Sequence, residues 1–160
     1  MSNPFELPKE LLHEEIIRTI ELDNLSNEII RVDFGLEIDW GGEHDSTPLN
    51  FKEINRFKTF FLDNLGSSSR ADLLSEIVEE IIKYNKEELK PCKDFKNKLI
   101  NFYKIRNIFA HNLYPKGLDG YTKLDSSTPY WGKLNDEHKE LYDELKEYLL
   151  ANCYKEIQLD

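Results

Sequence analysis

Residues 95–113 read FKNKLINFYKIRNIFAHNL, and this stretch decides how the rest of the chain is interpreted. Apolar side chains recur every three or four residues along it, which predicts an amphipathic helix that begins after Asp94 and ends before Pro115. One position of the apolar seam is taken by Arg106. A buried charge is costly unless an acid pairs with it or a cleft opens to it, so we expect Arg106 to face one or the other.

The end of this predicted helix concentrates polar groups. At about 100° per residue, Asn107 and His111 lie one above the other on one face. Arg106 starts about 100° round from Asn107, but its long side chain can reach back toward the same cleft. His111 falls in the last turn, where the helix dipole favours the imidazolium form. Three such groups at one helix end suit binding or cleavage of a phosphodiester.

The N-terminal third predicts one long helix, or two stacked ones, from Pro8 to about Asp33. From Ile30 to Trp40, apolar and polar residues alternate strictly, which is typical of a strand. We therefore expect the helix to reach Phe34 and an extended segment to follow. The apolar positions that carry the helical spacing are Leu11, Leu12, Ile16, Ile20, Leu22, Leu25, Ile29, Ile30 and Val32.

Two further helices are predicted in the middle of the chain. Asn50 and Glu53 have the spacing of a capping box, and the apolar periodicity that follows predicts a helix over residues 51–65. The next helix is strongly apolar, and Ser69 paired with Asp72 is its predicted N-terminal cap.

Residues 114–133 are rich in Gly, Pro and Ser and predict a long loop, a small hairpin or a lid before the last helix. Asn135 or Asp136 is expected to cap that helix, with His138 on the surface of its first turn. Three aromatic residues of the loop are expected to be exposed: Tyr121, Tyr130 and Trp131. Together these patterns predict an all-α fold, a bundle of four to five helices, as a single domain over residues 1–160.

The formal net charge of −10 argues against a general nucleic-acid binder, but the charge is uneven. Residues 83–116 carry a balance of +6, and the remainder carries −16. Two interpretations stay open: the basic segment attracts a phosphate backbone locally, or its lysines form a solvated helix face.

Targeting and redox signals point to the cytoplasm. No apolar run approaches the roughly 20 residues of a membrane helix, and residues 1–10 lack the features of a secretion signal. Cys92 and Cys153 lack metal spacing and are expected to be free thiols. His44 has no partner at ligand spacing and is expected to be a surface residue. We therefore expect no metal, no cofactor and no membrane association.

Arg106, Asn107 and His111 match, position by position, the Arg-Asn-x-x-x-His motif of the HEPN superfamily. The chain resembles that superfamily in being small, acidic and predicted helical, with the motif near the end of a late helix. It looks most similar to the mannitol operon repressor branch, over roughly residues 8 to 113. The stretches that carry this similarity are Leu22–Leu25, Gly66–Arg70 and Ile105–His111.

The resemblance implies a metal-independent endoribonuclease of toxin–antitoxin or phage-defence type, active as a homodimer through the motif helix. His111 would be the general base or acid, Arg106 would hold the scissile phosphate, and Asn107 would orient one of them. RNA is the implied substrate, and an antitoxin or a regulatory protein is the implied partner.

The same resemblance supports an alternative without cleavage. In the mannitol-repressor-like branch these residues can serve folding, dimerisation or partner binding in a regulatory or protein-interaction module. Arg106 would then be a buried arginine paired with an acid, and His111 would cap the helix end. The candidates considered for that acid are Asp23, Asp33 and Glu76.

Overall fold

The computed structural model describes residues 7–41, 47–85, 92–111 and 130–154, which contain five α-helices and no strand. The α-helices are α1 (Lys9–Asp33), α2 (Phe51–Phe60), α3 (Ser67–Asn85), α4 (Phe95–Ala110) and α5 (Tyr130–Leu149). A 3₁₀ turn (Leu62–Asn64) follows α2, and a π-helical segment (Leu150–Tyr154) follows α5. The predicted all-α class with four to five helices is confirmed. No helix in the described part of the chain is long and apolar enough to span a bilayer.

The chain forms two compact units, and the division falls inside α1. Unit 1 comprises residues 1–22 and 92–148, and unit 2 comprises residues 23–91 and 149–160. A single domain over residues 1–160 stays a prediction.

The core of unit 1 forms where α4 packs against α5. Ile105 and Phe109 of α4 cluster with Trp131 and Leu134 of α5, and the rings of Phe109 and Trp131 lie 5.4 Å apart. Leucines of the N-terminal segment pack against the same cluster. The apolar seam predicted for α4 is confirmed, because its described apolar members are all buried: Phe95, Leu99, Phe102 and Phe109.

In unit 2, Arg70 ties three elements together. Its Nη1 donates to Asn27 Oδ1 of α1 at 2.6 Å, and its Nη2 donates to the carbonyl of Leu62 at 3.1 Å. The arginine thereby reaches α1 and the 3₁₀ turn from the first turn of α3. Apolar residues of α3 form the surrounding core: Ala71, Leu74, Ile77 and Val78.

The first helix ends at a glycine. Gly35 adopts φ +75°, its N–H donates to the Val32 carbonyl, and the N–H of Leu36 donates to the Arg31 carbonyl. This pair of bonds is the Schellman arrangement, in which a left-handed residue satisfies the last helical carbonyls. Residues 36–41 that follow form no strand. The helix therefore ends at Asp33 rather than at Phe34, and the strand that the alternating pattern indicated does not form.

Asn50 occupies the predicted N-cap position of α2 but lacks the capping hydrogen bond, and the predicted cap of α3 is wrong. Asn50 makes no cap hydrogen bond to α2, because its side chain accepts from the Asp39 N–H at 3.0 Å and donates to the Glu37 carbonyl at 2.6 Å. Ser69 does not cap α3, which begins two residues earlier, at Ser67. The predicted helix over residues 51–65 also breaks at Phe60.

The last helix starts earlier than predicted. It begins at Tyr130, so neither Asn135 nor Asp136 caps it, and Trp131 is 2% exposed rather than part of an open lid. Tyr121 and most of the predicted loop or hairpin lie outside the described residues, as does His44.

Candidate functional site

The C-terminal end of α4 presents Asn107 and His111 to solvent. Both residues are exposed, and the His111 N–H donates to the Asn107 carbonyl at 3.0 Å. The two side chains therefore leave the helix one turn apart on one face, as the spacing predicts. His111 stands just past the last helical residue, as the C-cap of α4.

Arg106 points toward the interior of unit 1 rather than along the exposed face. The residue is half-buried, its guanidinium carbon lies 5.8 Å from the Tyr103 ring centroid, and its Nε is buried. Within the described residues this Nε has no hydrogen-bond acceptor. The structure thus places Asn107 and His111 on one exposed face, whereas the Nε atom of Arg106 is buried.

Unit 1 also contains a buried polar cluster, formed by α1 and α5. Arg18 Nε donates to His138 Nδ1 at 3.0 Å, and its Nη2 donates to Asn135 Oδ1. Thr19 Oγ1 donates to Glu15 Oε1 at 2.8 Å. Hydrogen bonds of this kind allow charged and polar groups to sit inside a core. The cluster consists of Glu15, Arg18, Thr19, Asn135 and His138, all of them buried.

His138 is the centre of the cluster, contrary to its predicted place on the surface. It is 0% exposed, and its ring stacks on Phe102 with centroids 4.0 Å apart. Burial, together with the Arg18 charge, lowers its pKa from 6.5 to about 3, so the ring is neutral. Because Nδ1 accepts from Arg18, the ring proton is on Nε2.

The charge of Arg106 acts on the buried carboxyl of Glu15. Burial raises the pKa of the Glu15 carboxyl, and the Thr19 hydrogen bond and the charges of Arg106 and Arg18 oppose that rise. The acids considered from the sequence did not include Glu15. The charge of Arg106 therefore favours the ionised form of Glu15, which burial disfavours.

The apolar pattern of α1 hid this cluster. Ile16, Ile17 and Ile20 are 43%, 43% and 53% exposed, although two of them belong to the apolar set that predicted the helix. The face that is buried instead carries Glu15 and, three and four residues later, Arg18 and Thr19. The same spacing recurs in α5 between Asn135 and His138. The sequence signal that could have revealed the cluster is the recurrence of polar residues at helical spacing in both helices.

The helix α4 is cationic in sequence, although its Lys98 forms an ion pair with Glu144 of α5. The helix carries four cationic residues and no acid in a chain whose net charge is −10. Basic side chains along one helix raise the local concentration of phosphate groups. The cationic residues of α4 are Lys96, Lys98, Lys104 and Arg106.

Neither the cysteines nor the acids of the described part supply a metal site. Cys92 and Cys153 are both free thiols, as predicted. Burial raises the pKa of Cys153 to about 12, and Cys92 lies 3.8 Å from a carboxylate oxygen of Glu144. Among the described residues, no three His, Cys, Asp or Glu side chains are grouped to hold a metal ion.

Comparisons with protein-family models, with curated proteins and with solved structures give no match to this chain in any of the three. The evidence for a site is therefore the geometry at the end of α4. An amide and an imidazole are exposed there on a cationic helix, and the neighbouring arginine acts electrostatically on a buried acid.

Proposed function

We propose that the chain is a metal-independent endoribonuclease whose reacting groups are Arg106, Asn107 and His111. The observation that supports this most is the exposure of His111 one turn beyond Asn107, at the end of a helix that carries cations and no acid. An accessible imidazole next to a hydrogen-bonding amide, in a locally positive field, is suited to proton transfer at a phosphodiester.

The proposed reaction is an internal transesterification of RNA. The ribose 2′-oxygen attacks the adjacent phosphorus, and the bond from phosphorus to the 5′-oxygen breaks. His111 removes the 2′-hydroxyl proton as base while water protonates the leaving 5′-oxygen, or His111 protonates the leaving oxygen as acid while water accepts the 2′-hydroxyl proton. Arg106 stabilises the charge that develops on the phosphate oxygens, and Asn107 orients the imidazole or the phosphate. The products are a 2′,3′-cyclic phosphate and a 5′-hydroxyl end.

The active form in this proposal is a homodimer through α4, in which the motifs of two copies share one cleft. This part of the proposal rests on the resemblance to HEPN proteins. A cytoplasmic toxin or phage-defence role, with an antitoxin as partner, is the corresponding biological setting.

A second candidate function is a non-catalytic regulatory or protein-interaction module, and two observations favour it. The coupling of Arg106 to Glu15 is what a structural arginine requires. Exposed apolar residues also occur in each unit, and such side chains often mark interaction surfaces. In unit 1 these are Ile16, Ile17 and Ile20, and in unit 2 they include Trp40, Leu49, Phe51 and Phe60.

Cleavage of RNA in the presence of a chelator separates the two functions. We expect the wild type to cut a mixed RNA substrate with excess EDTA, and His111→Ala and Arg106→Ala to lower the rate at least about a hundredfold. His13→Ala, at another exposed histidine of unit 1, is the matched control and should retain full activity. Circular dichroism checks that each variant is folded. Undiminished cleavage by folded His111→Ala would refute the catalytic proposal and leave the interaction module.

A further inference from the structure

The solvent-exposed side of α4 carries amides and cations but no acid. Seven residues of the helix and its C-cap are exposed, and five of these lie within an arc of about 120° around the helix axis. The five extend about 21 Å along the axis and end at the imidazole of the motif. They form the amide face of α4: Asn97, Asn101, Lys104, Asn107 and His111.

The three asparagines of the amide face contribute nothing visible to the fold. Asparagine is a poor helix former, because its short side chain competes for backbone hydrogen bonds. In the described part of the chain, the amides of Asn97, Asn101 and Asn107 bond to no other residue and cap no helix end. The exposed Asn64, by contrast, donates to two backbone carbonyls. Three unpaired amides on one helix face are therefore available to a ligand.

The chemistry of the amide face fits a nucleic acid better than a protein. Its only large apolar residues, Ile100 and Ile108, are half-buried, so a protein or a second copy would find little apolar surface to cover. An amide both donates and accepts, which matches the edges of bases. The ammonium of Lys104 is exposed, and such a group binds phosphate. The ion-paired Lys98 lies beside the face and is not counted with it.

We propose that the amide face is a binding track for single-stranded RNA, along which the strand runs from His111 toward Asn97. Lys104 binds a backbone phosphate, and the amides of Asn97 and Asn101 bind base edges. A single strand exposes its bases for such contacts, whereas the bases of duplex RNA are paired and lie in a narrow groove. Cleavage at the His111 end of the track rests on the function proposed above, but binding of RNA along the face does not.

Fluorescence anisotropy with a single-stranded RNA octamer tests the track, in a His111→Ala background that prevents cleavage. We expect Asn97→Ala and Asn101→Ala each to weaken binding about three- to tenfold, the loss of one hydrogen-bonded contact. Both should also raise Tm, because alanine is the better helix former, whereas loss of a structural role would lower it. Asn55→Ala, at an exposed asparagine of α2, is the control and should bind like its parent. Unchanged affinity in both α4 variants would overturn the inference.

Cleavage of two substrates in EDTA tests whether the track leads to the reacting groups. Asn97→Ala should raise KM for the octamer about three- to tenfold at unchanged kcat, since the lost contact is made before and during reaction. For a dinucleotide both constants should stay at the wild-type value, because a dinucleotide at His111 does not reach Asn97, about 21 Å away. Equal losses on both substrates would overturn the track.

Failure of the track and failure of the proposed function give different results. Weaker RNA binding by the asparagine variants of a protein that cuts no RNA would support the track and reject the nuclease. Wild-type binding by these variants of a protein that does cut RNA would reject the track alone. If the variants instead lower Tm and dissociate a dimer in analytical ultracentrifugation, the face binds a second copy, and the inference is wrong.

Discussion

His138 is a fully buried titratable residue, and its burial affects how the stability of the protein depends on pH. Its ring lies between Phe102 and Arg18, and burial with the Arg18 charge lowers its pKa to about 3. In the unfolded chain the same histidine titrates near 6.5. Between these values the unfolded state binds a proton that the folded state does not, so folding is progressively disfavoured as the pH falls from about 6.5 to about 3.

We therefore predict that His138 makes the protein acid-labile. Each pH unit in that window should lower the free energy of unfolding by up to about 1.4 kcal/mol through this group. Urea titrations across the window measure it, as the difference between the wild type and His138→Asn, which keeps an acceptor for Arg18. Glu15 acts in the opposite sense, because burial raises its pKa, but it is common to both proteins and cancels in that difference. His13→Asn is the control, and an identical pH slope in His138→Asn would contradict the buried, neutral ring.

The two tryptophans of the chain differ in how far they are buried. Trp131 is 2% exposed within the core of unit 1, whereas Trp40 is 50% exposed in unit 2. We predict that Trp131→Ala lowers the free energy of unfolding by about 3–5 kcal/mol and Trp40→Ala by less than about 1 kcal/mol. Chemical denaturation followed by circular dichroism measures both. A small loss of unfolding free energy in Trp131→Ala would contradict the burial of Trp131 and favour the exposed loop that the sequence pattern predicted.

Replacing glycine by alanine should change the stability in opposite directions at a helix end and inside a helix. Gly35 has φ +75° at the end of α1, and a Cβ there meets no atom within 4 Å. Gly132 lies in the first turn of α5, and a Cβ there also meets nothing within 4 Å. Space is equal at the two positions, so only backbone conformation differs.

We predict that Gly35→Ala destabilises by about 1 kcal/mol, the cost of a left-handed alanine, and that Gly132→Ala stabilises by about 0.5–1 kcal/mol. Thermal unfolding of the two variants beside the wild type gives both signs in one experiment. A stabilising Gly35→Ala would mean that α1 does not end in the Schellman turn.

The charge distribution of the whole molecule leads to a prediction about binding. An acidic chain should bind RNA only through its basic segment, so affinity should fall as salt rises, with a slope set by the few phosphates contacted. Lys104→Gln, on the exposed part of α4, should weaken RNA binding severalfold and reduce that slope. Lys139→Gln, with the same charge change on α5, should not. Fluorescence anisotropy at a series of salt concentrations measures both, and equal effects of the two variants would contradict a local site.

The features predicted correctly from the sequence are those that depend on the periodicity of a single helix. The seam of α4 is buried as its spacing predicted, the all-α class is confirmed, and Asn107 and His111 lie one turn apart. Periodicity within a helix determines these features, because the burial of an apolar stripe dominates the energetics of a helix on a core.

The errors occur where a second element decides the outcome. Asn50 had the spacing of a cap, but the backbone of residues 37–39 offered its amide other partners. His138 resembled a surface residue because the preceding helical turns were assigned to a loop. Glu15 was overlooked because neighbouring isoleucines suggested the opposite face. Each of these depends on which element packs alongside, and periodicity in one segment does not carry that information.

The proposed cleavage of RNA at the end of α4 requires the ribose 2′-hydroxyl and no metal. Its most direct test incubates the wild-type protein, in excess EDTA, with an RNA oligonucleotide and with the same sequence carrying 2′-O-methyl at every position. We predict that only the unmodified RNA is cleaved, with 2′,3′-cyclic phosphate and 5′-hydroxyl ends, and that His111→Ala loses this cleavage. Cleavage of both oligonucleotides, or of neither, would contradict it.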